Sequence, residues 1–211
     1  MSTVTIIGDV HGKYDKYLEI VRNKPSTIQI GDMGFNYDHM RSVDPLYHMI
    51  IGGNHDNYDE LKKWGHYIGD FGRMGFFAPP KDLFEFFFVR GGLSIDKHIR
   101  IEGKSWWRDE EISLEYLNKA VENYSMVGMK KPNLMITHVP PQSIVPLITG
   151  STRIYPSRTG QALDAMLYVH RPKVWIFGHM HTSFRLTIDG TKFISLDELE
   201  TLDIGDNLDD V

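Results

Sequence analysis

The sequence predicts a layered α/β fold with mixed β-sheets, and two observations predict it. First, a short apolar run rich in β-branched residues occurs five times. Each time it ends in Gly or Thr and then a side chain able to bind metal. Such runs have strand length and are too short for a typical helix. Second, helix-like segments separate the early runs, whereas the late strands pair through a tight turn.

The runs are TVTIIGDVHG (3–12), STIQIGDMG (26–34), YHMIIGGNHD (47–56), NLMITHVPP (133–141) and KVWIFGHMH (173–181). They are apolar on both faces, as in strands covered on both sides. Residues 13–24, 57–64, 108–124 and 159–171 read as helices. The third of these opens on acidic residues, which favour a helix N-terminus. SFRLTIDGTKFISL (183–196) reads as a hairpin turning at Asp189-Gly190, and FEFFFVRGG (84–92) as a further strand. No Pro/Gly/Ser linker divides the chain, so one domain over residues 1–211 is expected. Its acidic C-terminal tail, 196–211, reads as a solvated, frayed terminus.

Composition narrows the function. Of 211 residues, 41% are hydrophobic and 24% charged, ordinary for a soluble globular protein. No apolar run approaches the roughly 18 residues that span a bilayer, so no membrane association is expected. The start lacks the features of a secretory signal. Cysteine is absent, which excludes disulfides and thiolate metal sites and fits a cytoplasmic location. The net charge of -5 and the scattered Lys and Arg argue against stable nucleic-acid binding.

In open α/β sheets, sites collect beyond the carboxyl ends of the strands. The five runs end in Asp9, His11, Asp32, Asn54, His138, His179 and His181. Core packing asks for no such coincidence. Asp9 and His11 are two apart, a spacing that points both the same way on an extended segment and lets them grip one ion. His179 and His181 repeat the spacing. Asp32 can bridge two ions with its two oxygens, Asn54 offers a neutral carbonyl and His138 an imidazole. Nitrogen and oxygen donors without sulfur suit Mn, Fe, Zn, Co or Ni better than an oxygen-only Mg or Ca cage.

GDVHG, GDMG, GGNHD, TH and GHMH, in that order, resemble the five signature blocks of the calcineurin-like metallophosphoesterases. The blocks run from residue 8 to residue 181, and GGLSIDKHIRIEGKSWW (91–107) resembles small bacterial and phage members. The resemblance implies a four-layer fold, two mixed sheets sandwiched between helices. It implies a phosphoesterase that uses two divalent ions, Mn above all, and a hydroxide bridging them to hydrolyse a small phosphate ester. It further implies that Asp9, His11 and His181 hold one ion, that Asn54, His138 and His179 hold the other, and that Asp32 bridges them. His55 is then not a ligand but the catalytic residue, and with Asn54 it meets the substrate.

One departure bears on the substrate. Many members acting on phosphomonoesters, the Ser/Thr protein phosphatases included, read GD-x-x-D-R-G in the second block. Here Phe35 stands at that Asp, which orients the catalytic His, and Asn36 at that Arg, which holds phosphate. Asp38 and Asp56 are candidates to orient His55. Arg90, Arg153 and Arg158 are candidates to hold phosphate. The departure favours phosphodiesters or small nucleotide-type substrates over phosphomonoesters and phosphoproteins. The complete ligand set argues against a non-catalytic scaffold. The loop at 140–160 is expected to wall the cleft. Trp106, Trp107 and the Phe-rich run read as core or packed rim before base-stacking surfaces. His39, His48, His66, His98 and His170 read as structural.

Overall fold

The computed structural model describes residues 3–78, 81–126, 131–205 and 207–211. The strands are β1 (Val4–Ile7), β2 (Thr27–Gln29), β3 (His48–Ile50), β4 (Phe71–Ala78), β5 (Lys81–Val89), β6 (Leu134–Thr137), β7 (Val174–Phe177), β8 (Phe184–Ile188), β9 (Thr191–Ser195) and β10 (Thr201–Ile204). The helices are α1 (Tyr14–Arg22), α2 (Tyr58–Leu61), α3 (Leu114–Ser125), α4 (Val145–Thr149) and α5 (Arg158–Val169).

Two mixed sheets result, in the orders β10-β1-β2-β3 and β4-β5-β6-β7-β9-β8. Within them β1-β2-β3 and β5-β6-β7-β9 run parallel, while β10, β4 and β8 are antiparallel edges. The continuous apolar runs follow from burial on both faces. Ile6, Ile28, Phe86, Phe88, Ile136, Ile176 and Ile194 meet in a core between the sheets. Their neighbours on the opposite face, Phe87, Met135, Trp175 and Phe193, pack with Leu117, Tyr124, Leu163 and Met166 of α3 and α5. Ile7 and Ile50 pack with Tyr17, Val21, Tyr58 and Leu61 of α1 and α2. The order helix, sheet, sheet, helix gives the four expected layers.

The five metal-capable runs become β1, β2, β3, β6 and β7 with their exits. The hairpin turns at Asp189 and Gly190, which take φ 47 and 84. Positive φ at both central residues matches the right-handed twist of the flanking strands.

The structure corrects two expectations. The helix read over 108–124 begins later, at Leu114, where the Ser113 side chain accepts from Tyr116 N. Its supposed acidic first turn lies outside it: Glu110 and Glu111 are buried, and Glu111 accepts from Ser157 Oγ and Thr159 N at the start of α5. The acidic tail is not frayed over its strand. Thr201–Ile204 pairs along β1, with Ile204 fully buried, because its apolar side chains complete the sheet edge. Among the described residues no helix is long and apolar enough to cross a membrane.

Candidate metal centre

The carboxyl ends of β1, β2, β3, β6 and β7 open on one spot. Donor atoms of Asp9, His11, Asp32 and His181 lie within 4.8 Å of one another, and so do those of Asp32, His138 and His179. Asp32 belongs to both groups. Its Oδ2 lies 3.7 Å from His11 Nε2, and its Oδ1 lies 3.3 Å from His138 Nε2. His181 Nε2 is 3.2 Å from Asp9 Oδ2 and 2.9 Å from His11 Nε2. Asn54 Oδ1 completes the second group, 2.9 Å from His138 Nε2 and 2.8 Å from His179 Nδ1.

The backbone is bent to achieve this. Six non-glycine residues have positive φ among the described residues, and four of them are His11, Asp32, His179 and His181. Left-handed conformations are costly for such side chains and cluster at functional sites. They also correct the extended-segment argument. His179 and His181, two apart, do not share one group; the turn sends His181 to Asp9 and His179 to Asn54. The glycines beside these donors permit close approach. A Cβ at Gly53 would stand 2.2 Å from Asp32 Oδ1, and one at Gly178 would stand 2.2 Å from Asp9 Oδ1.

The groups are held from behind. His138 Nδ1 donates to Ile30 O at 2.9 Å, which turns Nε2 toward the centre. Asn54 Nδ2 donates to Ser94 Oγ at 3.0 Å, which turns Oδ1 inward. Ser94, which sequence reasoning missed, is in turn fixed by a bond from its N–H to Glu110 Oε2.

Charge at the site is unbalanced. Burial and then the neighbouring Asp32 carboxylate push Asp56 up to about 7. Burial works to raise Asp9 too, but hydrogen bonds to His11 and His181 prevail and hold it well below the usual range. Burial pushes His179 down to about 4. Asp32 Oδ2 is buried and has no hydrogen-bond partner among the described residues. A buried carboxyl oxygen without a partner is costly. His11 of one group lies 3.7 Å from this oxygen and His138 of the other lies 3.3 Å from Oδ1, so a divalent cation fits this donor set.

His55 sits at the mouth, its backbone N–H donating to Asp32 Oδ1 at 2.6 Å. Neither candidate acid orients its ring. Asp38 is exposed and pairs with Arg41. Asp56 is taken up by the N–H groups of Asp32, Gly34 and Gly53 and by Tyr37 Oη, so it braces the loops that carry Asp32 and Asn54. Instead Arg100 Nη2 lies 3.3 Å from His55 Nε2. Asp96 fixes that guanidinium through Nε and Nη2, both at 2.7 Å, and Ser105 O accepts from Nη1. The acid–arginine spacing of four in Asp96–Arg100 was the available signal.

Of the sequence candidates for phosphate binding, Arg90 and Arg158 are engaged away from the centre, while Arg153 lines a cavity beside His179. Arg90 is buried, bonded to Asp70 at 2.6 Å and stacked on Tyr58. Arg158 pairs with Glu111, and Arg153 lies over Tyr155. Trp107 and Phe86–Phe88 are core. His39 stacks on Tyr14, while His48, His66 and His170 have local partners. The 140–160 loop does form a wall. A cavity of about 400 Å³ lies between it, Leu93 and His179.

The model of the calcineurin-like phosphoesterase family matches residues 2–183. The chain is a calcineurin-like phosphoesterase. Solved structures agree on the fold. A phosphopantetheinyl hydrolase from Mycobacterium tuberculosis superposes with a TM-score of 0.59 at 13% identity, covering 93% of this chain and 89% of that one. A dimetal phosphatase from Danio rerio does so at 0.52 and 15%, covering 93% and 87%. No curated protein matches the sequence. At these identities the structural likeness speaks for the fold of the phosphoesterase alone.

Proposed function

We propose that this phosphoesterase is a binuclear enzyme. Asp9, His11 and His181 hold one divalent ion, Asn54, His138 and His179 the other, and Asp32 spans the two. The observation that carries this is Asp32, shared by both donor groups and with a buried oxygen that no other group satisfies. Two ions held there would supply Lewis acidity, drawing charge from a phosphoryl group and lowering the pKa of an attacking water. Mn suits the mixed nitrogen and oxygen donors, as do Fe, Zn, Ni and Co.

The chain's own residues do the rest. His138 and Asn54, fixed by Ile30 O and Ser94, present preorganised donor atoms. His55 and Arg100 together border the place a phosphate ester would occupy. His55 is the catalytic residue, hydrogen-bonding the ester or handing a proton to its leaving oxygen. Arg100 is the cation that takes over from the arginine absent at Asn36. Asn36 itself is engaged locally, its Oδ1 accepting from Asp38 N. Phe35 leans on Trp107 at 5.1 Å and offers no acid to His55. A histidine without a carboxylate partner supports a diester, or a small nucleotide-type substrate, over a phosphomonoester. The absence of cysteine supports a cytoplasmic location.

The test is hydrolysis of bis-p-nitrophenyl phosphate beside p-nitrophenyl phosphate, with metal-stripped protein and Mn²⁺ restored. Diester turnover that exceeds monoester turnover and disappears in Asp32→Asn and His55→Ala is expected. Preferred monoester turnover would overturn the diester reading, and no turnover with any divalent ion would overturn the enzymatic one.

A further inference from the structure

The cavity beside the metal centre is lined by apolar side chains from two loops: Leu93 and Ile95 from one, Val139, Val145 and Ile154 from the other, with Met180 between ligands His179 and His181. His179 forms part of its wall, so the cavity is continuous with the place where ester chemistry would occur. Its volume of about 400 Å³ falls in the range of small-molecule pockets. Ile95 is 61% exposed and Ile154 37% exposed, apolar surface that an occupant would take out of water.

Most polar groups in the wall are engaged within their own loop, and the Arg153 guanidinium lies over the Tyr155 ring. Gln142 Oε1 accepts from Ser157 N, and Ser157 Oγ donates to Glu111 and accepts from Gly160 N. Thr149 Oγ1 donates to Val145 O and accepts from Ser151 N, while Ser151 Oγ accepts from Arg153 N. These bonds shape the loop, and the two polar ends they leave over, those of Arg153 and Tyr155, belong to exposed residues at the rim and not to the apolar interior. A polar arm buried here would lose hydrogen bonds to water without replacement. A hydrocarbon arm would lose none.

We infer that this cavity is a specificity subsite for an apolar, alkyl or aryl, arm of the phosphate ester. Resting on the proposed function, this narrows the substrate class to esters carrying a hydrocarbon group next to the phosphate.

The test is calorimetric binding of methyl-, butyl- and hexylphosphonate and of a nucleoside phosphonate to the Mn²⁺-supplied protein, run beside turnover of bis-p-nitrophenyl phosphate. Full burial of a methylene strengthens binding roughly fourfold. Walls that stay partly exposed reduce this to roughly twofold, so hexylphosphonate should bind ~30-fold more tightly than methylphosphonate. Ile154→Ser and Val145→Ser should flatten that ratio, and Ile154→Leu should restore it. Equal binding of methyl- and hexylphosphonate, a ratio unchanged by the serine variants, or tighter binding of the nucleoside phosphonate would each overturn the subsite. Chain-length dependence without turnover would sink the enzymatic reading and leave the subsite standing. Turnover without chain-length dependence would do the reverse.

Discussion

Replacing Arg100 with alanine tests whether the guanidinium beside His55 serves the substrate or the fold. Its side chain is 23% exposed and its partner Asp96 39% exposed, so the ion pair itself is worth at most ~1 kcal/mol to folding. A charge-assisted hydrogen bond to a phosphoryl oxygen is worth ~1.5–3 kcal/mol. Arg100→Ala should therefore lower kcat/KM for bis-p-nitrophenyl phosphate by ~10–100-fold. The melting temperature should shift by only a few degrees, and bound metal should stay at the wild-type level. Arg100→Lys keeps the charge but loses the planar fork that Asp96 grips at two points, so it should recover part of the loss. Asp96→Asn should fall between wild type and Arg100→Ala, because the guanidinium keeps its charge but loses its clamp. Undiminished turnover in Arg100→Ala would refute the assignment. A loss that tracks metal content or melting temperature would reduce Arg100 to a structural residue.

Two other consequences follow from contacts around the site. Ser94→Ala removes the acceptor that turns Asn54 Oδ1 toward His138 and His179; outer-sphere losses of this kind cost ~10–100-fold in metal affinity, so titration should show one ion weakened and the other retained. Burial works to raise the Asp70 carboxyl, but Arg90 overrides it and holds the group below its ordinary value. Asp70 therefore ionises more readily folded than unfolded. Its stabilisation is complete above the unfolded carboxylate value near ~3.9 and is lost as pH falls through the lower folded value. Removing it leaves Arg90, 3% exposed, with its charge uncompensated by Asp70. Asp70→Asn should cost ~2 kcal/mol at neutral pH, discounted for the partial exposure of Asp70, and the gap to wild type in denaturant unfolding should narrow on acidification.

Much of the fold was legible because the buried strands carry their signal locally. Five apolar runs became five strands, and Asp189-Gly190 announced its hairpin. Some of the elements missed look polar in isolation, while the apolar β4 and α4 were missed because Gly72 and Gly75 interrupt one and Pro146 stands in the other. Thr201–Ile204 sits among acidic residues, and only its pairing with β1 makes it a strand. The start of α3 was hidden by Asp109, Glu110 and Glu111, which look like a helix opening but serve other elements. At the centre, the candidate donors and their order could be read from the blocks. The division of His179 and His181 between two groups came from the family resemblance and not from their spacing, since it depends on left-handed turns. Arg100 was missed for another reason: its spacing from Asp96 marks an ion pair, but it meets His55 across 45 residues of chain, and no local pattern marks that contact.

The central claim is that Asp32 joins two metal positions. Metal analysis with electron paramagnetic resonance of the Mn²⁺-loaded protein tests it most directly. Two ions per chain with an exchange-coupled signal are predicted, falling to one uncoupled ion in His138→Ala. A single ion in the wild type, or two ions without coupling, would contradict it.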